Sequence, residues 1–263
     1  MAHKNTVTIV IPIYKSDISK TERMSLQQCF KVLRNYEIVF IHPEGLDVSS
    51  LNFGGKIKSE TFPSKYFTNV LGYNSLMLFE KFYQRFLDSK YILIYQLDAF
   101  VFKDELLNWC MKDYDYIGAP WISSKNTVLK KVLHLFSSRK KKERQKIFFK
   151  VGNGGFSLRN VLKSYKITKE LKNEIKVNLR RDKDDFYIME DVFWSIVVPK
   201  HFSDFKIPDY KEALGFSMDR KPDIALKLNK NQLPFGCHGF DKPKVEQFWK
   251  PILEESYNQN KKL

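Results

Sequence analysis

The stretch Y-I-L-I-Y-Q-L-D at residues 91–98 most constrains how this chain can fold. Bulky apolar and aromatic side chains fill its first part, and polar character returns only at Gln96 and Asp98. A short apolar run of this kind is typical of a strand buried on both faces of a parallel sheet. Its exit lies at the carboxyl edge of the sheet, where open α/β folds bind ligands. Asp98 is therefore either a ligand for a metal or phosphate group or a residue that closes the turn.

The hydrophobic pattern before this strand predicts a doubly wound sheet. Residues 7–14, 36–42 and, more briefly, 56–62 have the pattern of strands, whereas residues 19–33 and 66–87 have helical spacing. This order predicts an α/β fold with a mostly parallel central sheet flanked by helices. The first half contains no G-x-G-x-x-G and no P-loop, which argues against an NAD dehydrogenase or a P-loop kinase.

The second half continues the mixed pattern. Residues 113–121 predict a strand and a turn, residues 168–181 a charged surface helix, and residues 191–198 a buried helix. A terminal helix is predicted over residues 243–257.

In three segments of the second half, polar residues or glycines stand beside hydrophobic residues of the kind found in a core. The segments read G-N-G-G-F-S-L-R (152–159), M-E-D-V-F-W-S (189–195) and P-F-G-C-H-G-F (234–240). Together with Q-L-D they indicate a site assembled from distant parts of the chain.

These motifs, with V-T-I-V-I-P-I-Y at residues 7–14, resemble those of GT-A-fold glycosyltransferases. In particular they resemble an uncharacterised glycosyltransferase-like family of bacterial surface-polysaccharide loci that has a Y-Q-L-D-A-F-V-F core, and the resemblance extends from about residue 7 to residue 249. It implies a single GT-A-like, Rossmann-related domain. Residues 1–121 would form a nucleotide-binding half, 122–150 a basic insertion, and 151–263 an acceptor-side half.

The resemblance implies a divalent metal at Gln96-Leu97-Asp98, the place of the D-x-D motif that bridges a metal to the donor diphosphate. Because the first acid is replaced by Gln96, only Asp98 offers a carboxylate, and the need for a metal stays open. The resemblance assigns His238 as a second ligand, and the expected metal is Mn²⁺, which accepts imidazole, or Mg²⁺. Alternatively, His238 is a turn residue bonded to the backbone between Gly236 and Gly239.

Glu190 and Asp191 form an acid pair. The resemblance implies that Asp191 is the general base of an inverting transfer and that Glu190 is its neighbour. Such a base must lie within hydrogen-bond reach of the acceptor hydroxyl, and a second carboxylate can raise its pKa. Alternatively, the two acids stabilise the positive end of a helix dipole.

The resemblance also assigns residues to the nucleotide sugar donor. Two residues after the first strand match positions that contact the nucleotide base, a third reaches the nucleotide from a helix, and two glycines pass under the sugar. An ordinary strand end and a turn that needs positive φ are the alternatives. The assigned donor-binding residues are Pro12, Tyr14, Asn74, Gln96, Gly154 and Gly155.

Positive charge is concentrated in one segment. The formal net charge is +15, and residues 122–150 hold ten basic residues against the single acid Glu143. Such a field attracts phosphates of nucleic acid, of an anionic bilayer or of a substrate. Apolar residues at helical spacing within this segment favour binding to a membrane surface, and a solvated loop at the rim of the site is the alternative.

The expected location is the cytoplasm, with peripheral attachment to the inner face of the membrane as an option. Three scattered cysteines fit reduced thiols. No apolar run reaches the ~18 residues of a membrane span, and no secretory signal is visible at the amino terminus.

The sequence therefore predicts a metal-assisted glycosyltransferase. It would move a sugar from a nucleotide diphosphate sugar to a hydroxyl of a surface glycan or lipid-linked acceptor. A nucleic-acid-binding protein or metal-dependent nuclease is one alternative, against which no recognition motif is visible, so nucleic acid is not an expected partner. A non-catalytic GT-A scaffold is the other, because the metal motif has lost its first acid.

Overall fold

A mixed β-sheet forms the centre of the computed structural model, which describes residues 5–53, 57–123, 145–181 and 185–261. Six of its strands form this sheet in the order β3-β2-β1-β4-β7-β6, and three form a small sheet in the order β5-β9-β8. In chain order the strands are β1 (Asn5–Pro12), β2 (Glu37–Pro43), β3 (Ile57–Phe62), β4 (Ser89–Tyr95), β5 (Ala99–Val101), β6 (Tyr116–Ile117), β7 (Phe156–Asn160), β8 (Ser217–Met218) and β9 (Gly236–His238).

Strands β3, β2, β1 and β4 are parallel to one another. Strand β7 pairs with β4 in antiparallel direction, and β6 pairs with β7 in the same way. The apolar run at the start of the Y-I-L-I-Y-Q-L-D motif forms β4, and its residues 91–95 are buried. Helices on the sheet faces explain this burial. The predicted α/β fold, with a mostly parallel central sheet flanked by helices, is confirmed.

Helices connect and cover these strands. The first begins at a capping box in which the Ser19 hydroxyl accepts from the Glu22 N–H and the Glu22 carboxylate accepts from the Ser19 N–H. The helices are α1 (Lys20–Val32), α2 (Val70–Met77), α3 (Glu80–Gln84), α4 (Leu106–Met111), α5 (Val161–Glu170), α6 (Lys172–Leu179), α8 (Tyr210–Phe216), α9 (Pro222–Leu228) and α10 (Glu246–Lys261), with α7 made of Glu190–Val192, a π-helical stretch Phe193–Val197, and Val198–His201.

Two segments that were each predicted as one helix are divided in the structure. The pattern at residues 66–87 is divided into a 3₁₀ turn, Ser64–Tyr66, and the helices α2 and α3. Asn69 causes part of this division, because its side chain accepts from the Gly72 N–H and starts α2 anew. The helix predicted at 168–181 is two helices that begin at Val161, because Asn160 caps α5 through the Lys163 N–H.

The core is divided between the two sheets. A large cluster surrounds the central sheet, and Trp194 of α7 lies wholly within it. A smaller cluster joins the small sheet to α10 through the buried Trp249. The small sheet is thereby fixed against the edge of the domain where β4 ends.

Most of the basic segment, residues 124–144, lies outside the described residues, and so does its predicted amphipathic pattern. Within the described part of the chain, we find no helix with the length and apolar character that crossing a membrane would require.

Candidate active site

A cleft of about 480 Å³ opens at the edge of the central sheet where the parallel strands end. Tyr14 follows β1, and Gln96 and Asp98 follow β4; Asn153 to Gly155 precede β7, which starts at this edge because it runs in the opposite direction. The sheet topology therefore brings three distant segments together at the usual ligand-binding edge of an α/β fold. The remaining lining residues are Phe67, Asn69, Val70, Tyr73, Asn74, Met189, Glu190, Asp191, His238 and Lys242.

At one end of the cleft, His238 joins the residues that follow β4. Its place is set by the small sheet, in which His238 of β9 pairs with Ala99 of β5. The imidazole Nε2 lies 3.0 Å from Asp98 Oδ1 and 3.1 Å from Gln96 Oε1. Gly239, at φ +64°, donates its N–H to the Asp98 carbonyl at 2.8 Å, a left-handed conformation that favours glycine.

Asp219 and Lys242 complete this end of the cleft. Asp219 Oδ1 lies 4.0 Å from His238 Nδ1 and 3.8 Å from Lys242 Nζ, and Lys242 Nζ lies 4.0 Å from Asp98 Oδ2. Two of these atoms, Asp219 Oδ1 and His238 Nδ1, are buried and have no hydrogen-bond partner among the residues that the structure describes. Acidic and basic groups thus alternate at close range here, and we call these four residues the His238 cluster.

The pKa values of His238 and Asp98 are shifted in opposite directions. Burial lowers the pKa of His238, but the charge and hydrogen bond of Asp98 outweigh burial, and the pKa is raised. Burial likewise opposes ionisation of Asp98, but His238 and Lys242 outweigh it and hold the pKa of Asp98 below its usual value. Each of the two residues therefore favours the charged form of the other.

At the opposite end, Glu190 is paired with a buried arginine. Arg159 of β7 is fully buried, and its Nη2 donates to Glu190 Oε1 at 3.0 Å. Burial raises the pKa of Glu190, and the charge of Arg159 acts against this rise. An ion pair this deep is expensive to break, because either partner alone would be an uncompensated buried charge.

Asp191 follows Glu190 and is partly exposed to the cleft. Its Oδ2 accepts from the backbone N–H of Asn153 at 3.1 Å, and its Oδ1 accepts from the N–H of Val192 at 2.8 Å. Asn153 presents its N–H from a left-handed conformation, φ 61°, which asparagine tolerates better than most residues. Burial, and then the neighbouring charge of Glu190, raise the pKa of Asp191 to about 7.

Two glycines form the floor between these ends. A methyl group at Gly154 would overlap the Glu190 carboxylate, and one at Gly155 would overlap the His238 ring and come 2.5 Å from Gln96 Oε1. Neither position can therefore carry a side chain while Glu190, His238 and Gln96 keep these places.

A family model described as "Protein of unknown function (DUF5672)" matches residues 56–238, well over half of the chain. The chain belongs to this DUF5672 family. The matched region includes Asp98, the glycine floor, Glu190–Asp191 and His238, whereas Tyr14 and Lys242 lie outside it. A search of curated proteins found no match to this sequence.

Solved structures identify the fold of this DUF5672 protein as GT-A. The galactosyltransferase LgtC, solved in complex with donor and acceptor sugar analogs, superposes with a TM-score of 0.52 at 11% identity, covering 96% of this chain and 95% of LgtC. The bifunctional glycosyltransferase WbbM in its apo form gives a TM-score of 0.52 at 12% identity, over 90% of this chain and 46% of WbbM. At such identities the similarity establishes the fold alone.

The structure brings most of the predicted site residues of this DUF5672 protein into one cleft. The predicted donor residues Tyr14, Asn74, Gln96, Gly154 and Gly155 all line it. Asn74 also accepts from the Glu190 N–H at 3.4 Å and so supports the start of α7. By contrast, Pro12 is buried at the end of β1 and is not among the lining residues. The roles assigned to these residues stay predictions.

Sequence reasoning missed four residues of the site. Arg159 was visible as the last residue of G-N-G-G-F-S-L-R, and a charge within a strand could have indicated a buried pair. Lys242, four residues after His238, gave a weaker signal. Tyr73 lies in the segment 72–74, which the resemblance places near the nucleotide, but only Asn74 was assigned from it. Asp219 gave no signal, because its position depends on how the small sheet packs.

A divalent metal fits the donor atoms beside Asp98. In the described ranges, no group of three or more His, Cys, Asp or Glu side chains is arranged to hold a metal ion. One carboxylate, one imidazole and one amide oxygen nevertheless converge at Asp98, His238 and Gln96. These three residues would hold a metal through one nitrogen and two kinds of oxygen, a set that suits Mn²⁺.

Proposed function

We propose that this protein is a glycosyltransferase that moves a sugar from a nucleoside diphosphate sugar to a hydroxyl of a glycan or lipid-linked acceptor. The observation that carries the proposal is the division of one cleft into two chemically different ends. The His238 cluster supplies cationic groups and donor atoms suited to a diphosphate, and Glu190 with Asp191 supplies carboxylates suited to hydroxyl groups. The GT-A fold supports the proposal by analogy.

Asp191 is the general base in this proposal. It removes the proton from the acceptor hydroxyl while the acceptor oxygen forms a bond to the anomeric carbon of the donor. The bond from that carbon to the diphosphate oxygen breaks, and the diphosphate leaves with the electron pair. A pKa near 7 matches this task, because such a base is ionised near neutrality yet still binds a proton. Direct displacement inverts the anomeric centre.

Asp98, His238 and Gln96 would hold Mn²⁺ or Mg²⁺, and Lys242 would face the diphosphate beside them. A bound metal would stabilise negative charge on the departing diphosphate. Lys242 and a protonated His238 contribute to the same stabilisation without a metal, because preorganised cations lower the cost of charge that develops in a poorly solvated site.

Thermal unfolding in the presence of a panel of nucleoside diphosphate sugars, with and without Mn²⁺, tests the proposal. A ligand at a hundredfold excess over its Kd stabilises the folded state by about 2.7 kcal/mol. We expect at least one nucleotide sugar to raise the midpoint, and Asp98→Ala to remove the Mn²⁺-dependent part of the rise. We expect His238→Ala to have a smaller effect, and Asp223→Ala, at the exposed start of α9, to have none.

Activity separates the proposal from its alternatives. Donor hydrolysis or transfer, with the anomeric configuration of the product followed by NMR, identifies an enzyme. Donor binding without either reaction would identify a non-catalytic scaffold. A protein that binds no nucleotide sugar but binds duplex DNA at high salt would be a nucleic-acid-binding protein, and the proposal would be wrong.

A further inference from the structure

Two buried polar groups of residues that line the cleft have no hydrogen-bond partner within the described part of the chain. Glu190 is 3% exposed, and its Oε2 is unpaired although its Oε1 is bonded to Arg159. Tyr73 is 9% exposed, and its hydroxyl lies near Gln96 without a hydrogen bond of ordinary geometry. Both residues line the cleft. Buried polar groups in folded proteins normally have hydrogen-bond partners. We therefore expect a ligand of this cleft to carry polar groups that bond to these two atoms.

The charge of Arg159 is fully committed to the protein. Four of its five guanidinium N–H groups donate hydrogen bonds to protein acceptors, and the fully buried side chain is not among those lining the cleft. Its acceptors are Glu190 Oε1, the Gly154 carbonyl, the Tyr83 hydroxyl and the Ser157 hydroxyl.

We call the end of the cleft that holds Glu190 and Asp191 the acidic half. When Asp191 is ionised, the acidic half has more negative than positive charge. Arg159 balances one carboxylate, and Glu190 and Asp191 supply two. The basic residues among those lining the cleft are His238 and Lys242, and both are paired with acids of the His238 cluster at the other end. Among the described residues, a negatively charged group placed between Glu190 and Asp191 would therefore find no cation that is not already paired with a carboxylate.

We propose that the transferred sugar is neutral and that its hydroxyl groups bond to Glu190 Oε2 and to the Tyr73 hydroxyl. This inference rests on the proposed glycosyltransferase function. A sugar hydroxyl can donate to a carboxylate and can also accept from a phenol, so one polyhydroxyl ring satisfies both atoms. A uronic acid differs from its parent hexose in having a carboxylate in place of the hydroxymethyl group. In this cleft that carboxylate would meet like charge, and the site would discriminate against it.

Calorimetric titration with matched donor pairs tests the inference. The pairs are UDP-glucose with UDP-glucuronic acid, UDP-galactose with UDP-galacturonic acid, and GDP-mannose with GDP-mannuronic acid, with free UDP and GDP as references. A hydrogen bond to a charged group typically corresponds to an affinity difference on the order of 10- to 100-fold. In the pair whose nucleotide binds, we expect the neutral sugar to bind at least about tenfold tighter than the uronic acid.

Two variants locate the discrimination. Glu190→Gln removes the charge and is expected to reduce the difference between neutral and acidic donors. Tyr73→Phe removes only the hydroxyl and is expected to weaken the neutral sugar relative to the free nucleotide, a readout that is independent of the buried ion pair. Glu212→Gln and Tyr114→Phe are matched controls, because Tyr114 donates to Glu212 outside the cleft.

The outcomes distinguish the inference from the proposal on which it rests. If neither UDP, GDP nor any of these sugars binds, the glycosyltransferase proposal fails and the inference fails with it. If a nucleotide binds but the uronic acid binds as tightly as its neutral partner, the inference is overturned and the glycosyltransferase proposal stands. An unchanged preference in both cleft variants would also overturn it.

Discussion

Two aspartates of the cleft, Asp98 and Asp191, have pKa values shifted in opposite directions. His238 and Lys242 outweigh the effect of burial and lower the pKa of Asp98, whereas burial and the charge of Glu190 raise the pKa of Asp191. Environments that separate the pKa values of like residues are typical of sites where one group stays ionised and another exchanges protons. Residue identity alone could not have assigned these roles, because both side chains are the same.

The raised pKa of Asp191 predicts a dependence of stability on pH. The folded pKa, about 7, exceeds the unfolded value of 3.8, so ionisation of Asp191 destabilises the folded protein as pH rises through this window. Asp191→Asn removes this loss. We expect the variant to gain ~2 kcal/mol of unfolding free energy relative to the wild type between about pH 5 and about pH 8, since one pKa unit corresponds to about 1.4 kcal/mol.

Urea unfolding at several pH values measures this gain. The comparison between pH values matters more than either value alone, because the amide also loses an acceptor at every pH. A pH-independent difference between variant and wild type would contradict the raised pKa. In the proposed transfer reaction, the variant should lose ~10²–10⁴-fold in rate with donor binding retained.

At the scale of elements, the antiparallel strand β7 organises the acidic half of the cleft. Gly154 and Gly155, which form the floor of the cleft, directly precede β7. Arg159, near the end of β7, donates hydrogen bonds to the Gly154 carbonyl and to the Glu190 carboxylate. The short segment 154–159 therefore supplies both the two glycines of the floor and the arginine that balances the charge of Glu190. In the antiparallel pairing of β7 with β4, Arg159 lies opposite Ile92, and β7 lies between β4 and the edge strand β6.

Close packing at this floor predicts that Gly154→Ala is strongly destabilising. The added methyl group would displace the Glu190 carboxylate from Arg159, and disruption of a buried ion pair costs ~3 kcal/mol or more. Gly215→Ala is the matched control, because its methyl group would be 3.6 Å from Trp109 in ordinary contact, within helix α8. We expect the control to be neutral or stabilising by about 0.5 kcal/mol. Equal urea midpoints for the two variants would contradict the close approach.

At the scale of the whole molecule, positive charge is concentrated in one segment of the sequence. The net charge is +15, and the run from Arg139 to Lys142 contributes four consecutive basic residues. This run lies outside the described residues, so its predicted contact with an anionic membrane rests on sequence alone. The division of the chain into a nucleotide-binding half, a basic insertion and an acceptor-side half likewise stays a prediction.

Replacing residues 139–142 with glutamine tests the membrane prediction. Each basic residue near an anionic surface contributes ~1 kcal/mol, and salt screens this attraction. We expect the variant to sediment with anionic liposomes on the order of tenfold less at low salt, with the thermal midpoint unchanged. A variant that instead replaces Lys166, Lys169, Lys176 and Arg180, exposed on α5 and α6, removes the same charge elsewhere. Equal losses would show that net charge, and not this segment, determines binding.

The sequence by itself determined the sheet and the edge at which the cleft lies. Apolar runs and helical spacing depend on residues close in the chain, so β1, β2 and β4 and the exit at Asp98 followed from local pattern. The starts of α2 and α5 did not, because the single capping residues Asn69 and Asn160, not periodicity, set them.

Only the tertiary structure decided the partners within the site. His238 meets Gln96 across 142 residues because β9 pairs with β5, and Glu190 meets Arg159 because β7 joins β4 in antiparallel register. The pKa values of Asp98 and Asp191 depend on contacts with residues distant in the chain and on burial, and both are properties of packing. Local sequence can mark a carboxylate at a strand exit, but its charge state depends on neighbours that the fold brings from elsewhere in the chain.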